Sequence, residues 1–144
     1  VHLALIVLVV LLSLAISVLL ARWLSTENLE RDEVLAVLVA QARGDADGML
    51  GQLQGCAART WCAATVTLDA SRLRRPGAVK ILSLSSRTAY SLTGSAGRTR
   101  VAWTVIGRLP VVQCVQVRRS GDFLTGMSVR LYSISAPIPN EADC

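Results

Sequence analysis

A chain of 144 residues with a formal net charge of +5 supports one modest hydrophobic core and leaves little for a second domain. The hydrophobic share is 52%, with much of the excess in the first 21 residues, so the remainder reads as an ordinary folded domain behind an apolar segment. The only His is His2, which excludes histidine-based acid–base chemistry from that domain.

The first predicted element is a membrane-spanning helix. Leu3 to Ala21 holds nineteen residues whose only polar members are Ser13 and Ser17. At about 1.5 Å each they span about 28 Å, close to a hydrocarbon core of about 30 Å. Serine hydroxyls can bond back to a carbonyl one turn earlier, and Trp23 follows where an interfacial indole belongs. Two readings compete with this one. A cleaved secretory signal needs a basic start, a shorter apolar run and small residues flanking a cut site, whereas Ala15 and Ser17 lie inside the run. A core helix of a soluble protein needs more enclosing apolar surface than the rest of the chain offers.

Arg22 is the only basic residue close to an end of the span, so charge leaves orientation open and cysteine usage decides it. Cys56, Cys62, Cys114 and Cys144 all follow the span, and an even number suits an oxidising compartment, against the alternative of four free thiols in a cytosolic domain. Of the three possible pairings we favour Cys56 with Cys62, which closes a small loop, and Cys114 with Cys144, which ties the tail to a strand. Cys-x5-Cys without a nearby His argues against zinc, and neither a metal nor a cofactor is expected. The chain thus divides into an anchor at 1–24, an extracytoplasmic domain at 25–139 and an acidic tail at 140–144, mobile unless Cys144 is bonded.

Ser25 and Thr26, followed by Glu27, Glu30, Asp32 and Glu33, can cap a fresh helix. Alternatively the helix is uninterrupted, since residues 1–43 contain neither Gly nor Pro, and Glu27 and Arg31 then pair at i,i+4. Val34, Leu35, Leu38, Val39 and Ala42 form an apolar stripe at helical spacing. Gly44 ends this helix, and Asp45 caps a short one from Ala46 to about Leu53. Gly55 to Trp61 is expected as a loop pinned by two Cys.

Alternation at Val66 and Leu68 predicts a first strand with Asp69 at its end, and Arg72, Leu73, Arg74, Arg75, Pro76 and Gly77 a basic turn. A long strand follows from Ala78 to Leu92, with Lys80, Leu82 and Leu84 on one face and Val79 and Ile81 on the other, and a bulge at Ser85 to Arg87 that lets Ala89 and Tyr90 resume the alternation. Gly94-Ser95-Ala96-Gly97 reads as a turn. Val101, Trp103 and Val105 share a strand face, Gly107 to Pro110 turns the chain, and Val111 to Arg118 is a strand. Ser120-Gly121-Asp122 starts a loop before a last strand around Met127, Val129 and Leu131. The expected fold is α+β: a transmembrane helix, then a long amphipathic helix and a short helix packed on a curved antiparallel sheet of four to five strands.

An N-terminal anchor, a long helix, the Gly44-Asp45 step, a short helix and then a curved sheet resembles the nuclear-transport-factor-two-like superfamily, the cone-shaped α+β fold, over residues 29–135. Membrane-anchored members include lumazine-binding-like proteins and bitopic scaffold subunits of type IV secretion systems. The resemblance implies either a scaffold role or a cavity holding an acid–base group.

Candidates for such chemistry are few. Asp69 and Asp122 are the only acids between Met49 and Pro139, and both are read as turn residues. Tyr90, Trp103 and Tyr132 are the candidate lining of a ligand pocket. No phosphate loop, nucleophile elbow, metal motif or dinucleotide fingerprint occurs, so no catalytic residue is assigned. Residues 49–144 carry twelve Arg or Lys against four acids, and residues 22–48 three against six. Arg72, Arg74 and Arg75 are the candidate contacts for anionic lipid or cell-wall polymer. Nucleic acid is disfavoured for want of aromatic residues interleaved with the basic ones. The expected function is a single-pass, non-enzymatic extracytoplasmic binding or scaffold module, with a protein partner or a second copy of itself, within an envelope or secretion complex. The alternative is a small-ligand-binding or weakly catalytic cone.

Overall fold

A computed structural model describes residues 2–87, 94–122 and 126–144, with backbone alone for residues 22–26 and 122. Among the described residues three helices precede four strands: α1 His2–Arg43, α2 Ala46–Gln52, α3 Thr60–Arg72, β1 Val79–Ser86, β2 Gly94–Val105, β3 Val111–Asp122 and β4 Gly126–Ile134. The strands pair in chain order as one antiparallel meander, so the architecture is the expected α+β. α1 touches both edge strands, β1 and β4, which requires the sheet to curl around it.

α1 runs 42 residues without interruption, about 63 Å at helical rise. Ser25 and Thr26 therefore open no new helix. The side chain of Trp23, expected at the interface, lies outside the described residues. His2–Ala21 has a mean hydropathy of 3.2 and is entirely exposed. Within it the Ser13 and Ser17 hydroxyls donate to the carbonyls of Val10 and Ser13, each at 2.8 Å, which removes most of their polar cost. By length and composition this segment can cross a bilayer, and a signal sequence meets the same criterion. Glu27 and Arg31 do not pair: the ion pairs among the described residues are Arg119–Glu30 and Arg87–Asp143.

The second half of α1 is the spine of the core. Val34, Val37, Leu38, Ala40 and Ala42 are buried and, with the partly buried Leu35, meet Met49, Leu53, Val66, Trp103, Val117 and Leu131 in one cluster, while Val39 is partly buried beside it in sequence. At its end Gly44 adopts φ +79°, where a side chain would be strained. Its N–H reaches Gln41 O, while Asp45 N–H reaches Ala40 O, both at 2.9 Å, closing two carbonyls that the helix end leaves open. Asp45 then caps α2, accepting from the Gly48 N–H at 2.8 Å, as expected.

The strand expected around Val66 and Leu68 is instead the helix α3. Cys62, Val66, Asp69, Ala70 and Leu73 are its buried positions or follow in phase, spaced by four, three, one and three residues as one helical face. Two threonines that suggested a strand fold their hydroxyls back, Thr65 to Trp61 O and Thr67 to Ala63 O, each at 2.9 Å, so the helix accommodates them.

The bulge in β1 falls at Leu82, where the pairing with β2 steps between Ile81 and Ser83. Ile81 and Leu84 thereby face inward while Leu82 is exposed, which corrects the expected grouping of Leu82 with Leu84. The expected resumption at Ala89 and Tyr90 lies outside the described residues. Gly94 to Gly97 is no turn. It begins β2, with Gly94 opposite Ser120 and Gly97 opposite Val117, and a Cβ on Gly94 would stand 2.8 Å from Arg119 O. Likewise Ser120 to Asp122 belongs to β3, paired with β4 as far as Asp122 opposite Gly126. Val101, Trp103 and Val105 face inward as expected.

Both disulfides form in the favoured pairing, Cys56–Cys62 and Cys114–Cys144. The tail is consequently fixed across the outer face of the sheet. Ile138 N–H bonds Val112 O at 2.8 Å, Arg98 donates to Cys144 O at 3.3 Å, and Arg100 donates to Ala142 O at 3.1 Å and to Asn140 O. Arg87 pairs with Asp143 at 2.9 Å.

Candidate functional site

Two polar clusters inside the curl of the sheet carry the charged chemistry of the interior, and the sequence reading identifies neither. The first lies where α1 enters the domain. Glu30, 1% exposed, accepts from Arg119, 3% exposed, through Nε at 2.9 Å and through Nη2, and from the Thr99 hydroxyl. Ser86 Oγ, from β1, takes a further Arg119 Nη2 contact at 3.2 Å. A buried ion pair needs such additional hydrogen bonds to offset the loss of water from both charges. Glu30, Val34, Val37 and Gln41 share one helix face, whereas the stripe read from the sequence begins at Val34 and does not extend back one turn to Glu30.

The second cluster centres on Gln113 of β3, whose amide uses all its ordinary capacity. Its Oε1 accepts from Trp103 Nε1 at 2.8 Å and Gln41 Nε2 at 3.2 Å, while its Nε2 donates to Asp69 Oδ2 at 3.3 Å and Ser135 O at 2.9 Å. Asp69 is therefore a buried residue of α3, 2% exposed, and not the turn residue expected. Burial pushes its carboxyl up to about 6, against smaller opposing effects of the Gln113 hydrogen bond and the Arg72 charge. Gln41 Oε1 is the buried side-chain atom left without a partner among the described residues. Asp69, Gln113 and Trp103 are all buried, so this carboxyl is closed off from solvent in the folded domain.

The three pocket candidates do not converge. Trp103 is fully buried and fills the interior, with the Arg75 guanidinium 5.8 Å from its ring centroid. Tyr132 lines a recess of about 430 Å³ with Gly94, Ser95, Gln116, Arg118 and Ser120. Tyr90 lies outside the described residues.

The basic turn is tied to the far end of α1: Arg75 N–H bonds Ala42 O at 2.9 Å and its Nη1 donates to Leu109 O at 2.6 Å, while the Arg74 chain lies against Gly44. Ala42 is 21 residues beyond Ala21, about 31 Å along the helix. Arg72, Arg74 and Arg75 therefore sit at the end of the domain opposite the apolar segment. No cluster of three or more His, Cys, Asp or Glu suited to a metal occurs among the described residues. Compared with known proteins, the chain matches no family model, no curated protein and no solved structure.

Proposed function

We propose that this chain is a single-pass, membrane-anchored extracytoplasmic scaffold or binding module without enzymatic activity, working beside a protein partner or further copies of itself. The observation that carries this reading is the unbroken helix α1, whose apolar half continues without a linker into the residues that hold the core. A domain built on its own anchor is held at a set height and angle, which suits a part of an assembly. The two disulfides support an oxidising side of the membrane. Three helices before a meander that curls around the first of them also support kinship with anchored members of the cone-shaped superfamily. The buried acids support a non-enzymatic role, since each is committed to internal partners.

The test uses the full chain in its native membranes. Carbonate washing should leave it in the pellet, and protease added from outside should degrade the domain. A photo-crosslinker at Ile106 or Leu109, which are 85% and 82% exposed at the far turn, should capture a discrete neighbour. Release by carbonate would refute the anchor, and a chain that stays uncrosslinked and elutes as a monomer would refute the scaffold.

A further inference from the structure

The outer face of the sheet carries Arg98, Arg100, Arg118 and Arg130, and the tail treats them unequally. Arg98 and Arg100 donate to tail carbonyls, whereas Arg118 and Arg130 have no hydrogen-bond or charged partner among the described residues. Those two stand directly opposite each other on β3 and β4. Directly paired residues share a face with Cβ atoms about 5 Å apart, and like charges there repel. Beside Arg118 lies the recess of about 430 Å³, which also presents Ser95, Gln116, Ser120 and Tyr132. Two guanidinium groups without a charged partner among the described residues, beside hydroxyl and amide groups, form a receptor for a phosphate oxyanion.

Position selects the source of that phosphate. Arg119, next to Arg118, is bonded to Glu30, and Glu30 is nine residues beyond Ala21, about 14 Å along α1. β3 runs from the far turn towards that end, so Ser120 lies nearer still to the apolar segment. An arginine side chain closes about half of that gap, and the headgroup layer extends several ångströms from the hydrocarbon.

We propose that Arg118 and Arg130, with the adjoining recess, bind the phosphate of an anionic phospholipid headgroup in the bilayer that holds the chain. This rests on the membrane-anchored reading above. Because α1 is part of the core, binding orients the domain and α1 together against the membrane plane, by fastening one sheet face to the headgroups.

The full chain in neutral detergent, titrated with phosphatidylglycerol and read by native mass spectrometry, tests it. Each arginine near an anionic surface is worth about fivefold in affinity, so R118Q should weaken binding about fivefold and R118Q/R130Q about 25-fold. R108Q, which removes one charge at the far turn, should bind like the parent. The proposal is overturned if the double variant matches R108Q, if phosphatidylcholine binds as well as phosphatidylglycerol, or if inorganic phosphate competes at equal concentration, which would mark a free-anion site. Unchanged far-UV circular dichroism certifies folding, and carbonate resistance of the same variants separates loss of this site from loss of the anchor.

Discussion

Replacing Asp69 by asparagine should change how the domain's stability depends on pH. The carboxyl titrates at about 6 in the folded domain, against the ordinary aspartate value of 3.8 that applies once the chain unfolds. The folded state thus holds this proton more tightly than the unfolded state does. Its contribution is fully present below about pH 4, declines as pH rises, and is lost above about pH 6. A gap from 3.8 to about 6 amounts to about 3 kcal/mol at 1.36 kcal/mol per unit. The side-chain amide introduced by D69N can still accept from Gln113 and carries no charge to desolvate. The stability difference between D69N and the parent should therefore move by about 3 kcal/mol in favour of the variant between about pH 3 and pH 7. Urea unfolding of the full chain in detergent, followed by intrinsic fluorescence at several pH values, measures it. Using the difference cancels the other carboxylates, including the Glu30 pair. A difference that stays constant with pH would refute the assignment of Asp69 as a buried, reluctantly ionised acid.

Two further outcomes follow from the packing. E30Q leaves the Arg119 charge buried against a neutral amide, and denaturant unfolding should show a loss of about 3–5 kcal/mol, with R119M/E30M recovering much of it. C144S removes a cross-link spanning 30 residues and should cost about 3–4 kcal/mol on the chain-entropy account, while limited proteolysis should remove the tail from the variant before it attacks the sheet.

Most of the backbone plan is legible in the sequence because it rests on local chemistry. The helical character of residues 2–43, which lack Gly and Pro, the Gly44-Asp45 step and the alternation at Val101, Trp103 and Val105 each rest on neighbouring residues, and the structure has a helix, a cap and an inward strand face at those places. α3 reads as a strand because a five-residue window of Thr, Val and Leu fits period two. Over twelve residues the positions Cys62, Val66, Asp69 and Leu73 fit a helix, and only tertiary burial distinguishes the two fits. The bulge at Leu82 escapes the sequence because register depends on β2, not on β1 itself. The polar interior is illegible for the same reason. Gln113 and Asp69 are 44 residues apart and Glu30 and Arg119 are 89 apart, so neither cluster exists until the sheet curls around α1.

That curl explains why buried charge sits where it does. The proximal end of the core is where α1 leaves the domain, and there a helix running on into its exposed apolar segment cannot be covered by its own neighbours alone. An apolar contact at this point would hold the sheet to the helix but tolerate sliding by a turn, because aliphatic side chains accept many registers. The Arg119–Glu30 pair, with Thr99 and Ser86 completing its hydrogen bonds, accepts only one. Sliding would leave two charges desolvated and unpaired, at a cost comparable to the whole stability of a domain this size. The clamp therefore fixes both the height of the sheet along α1 and the face that each strand presents. With that register set, Arg118 and Arg130 are held on the outside towards the apolar segment, and Ile106 and Leu109 are held at the other end. The polarity of the domain relative to the apolar segment is thus a property of the folded core and needs no partner to establish it.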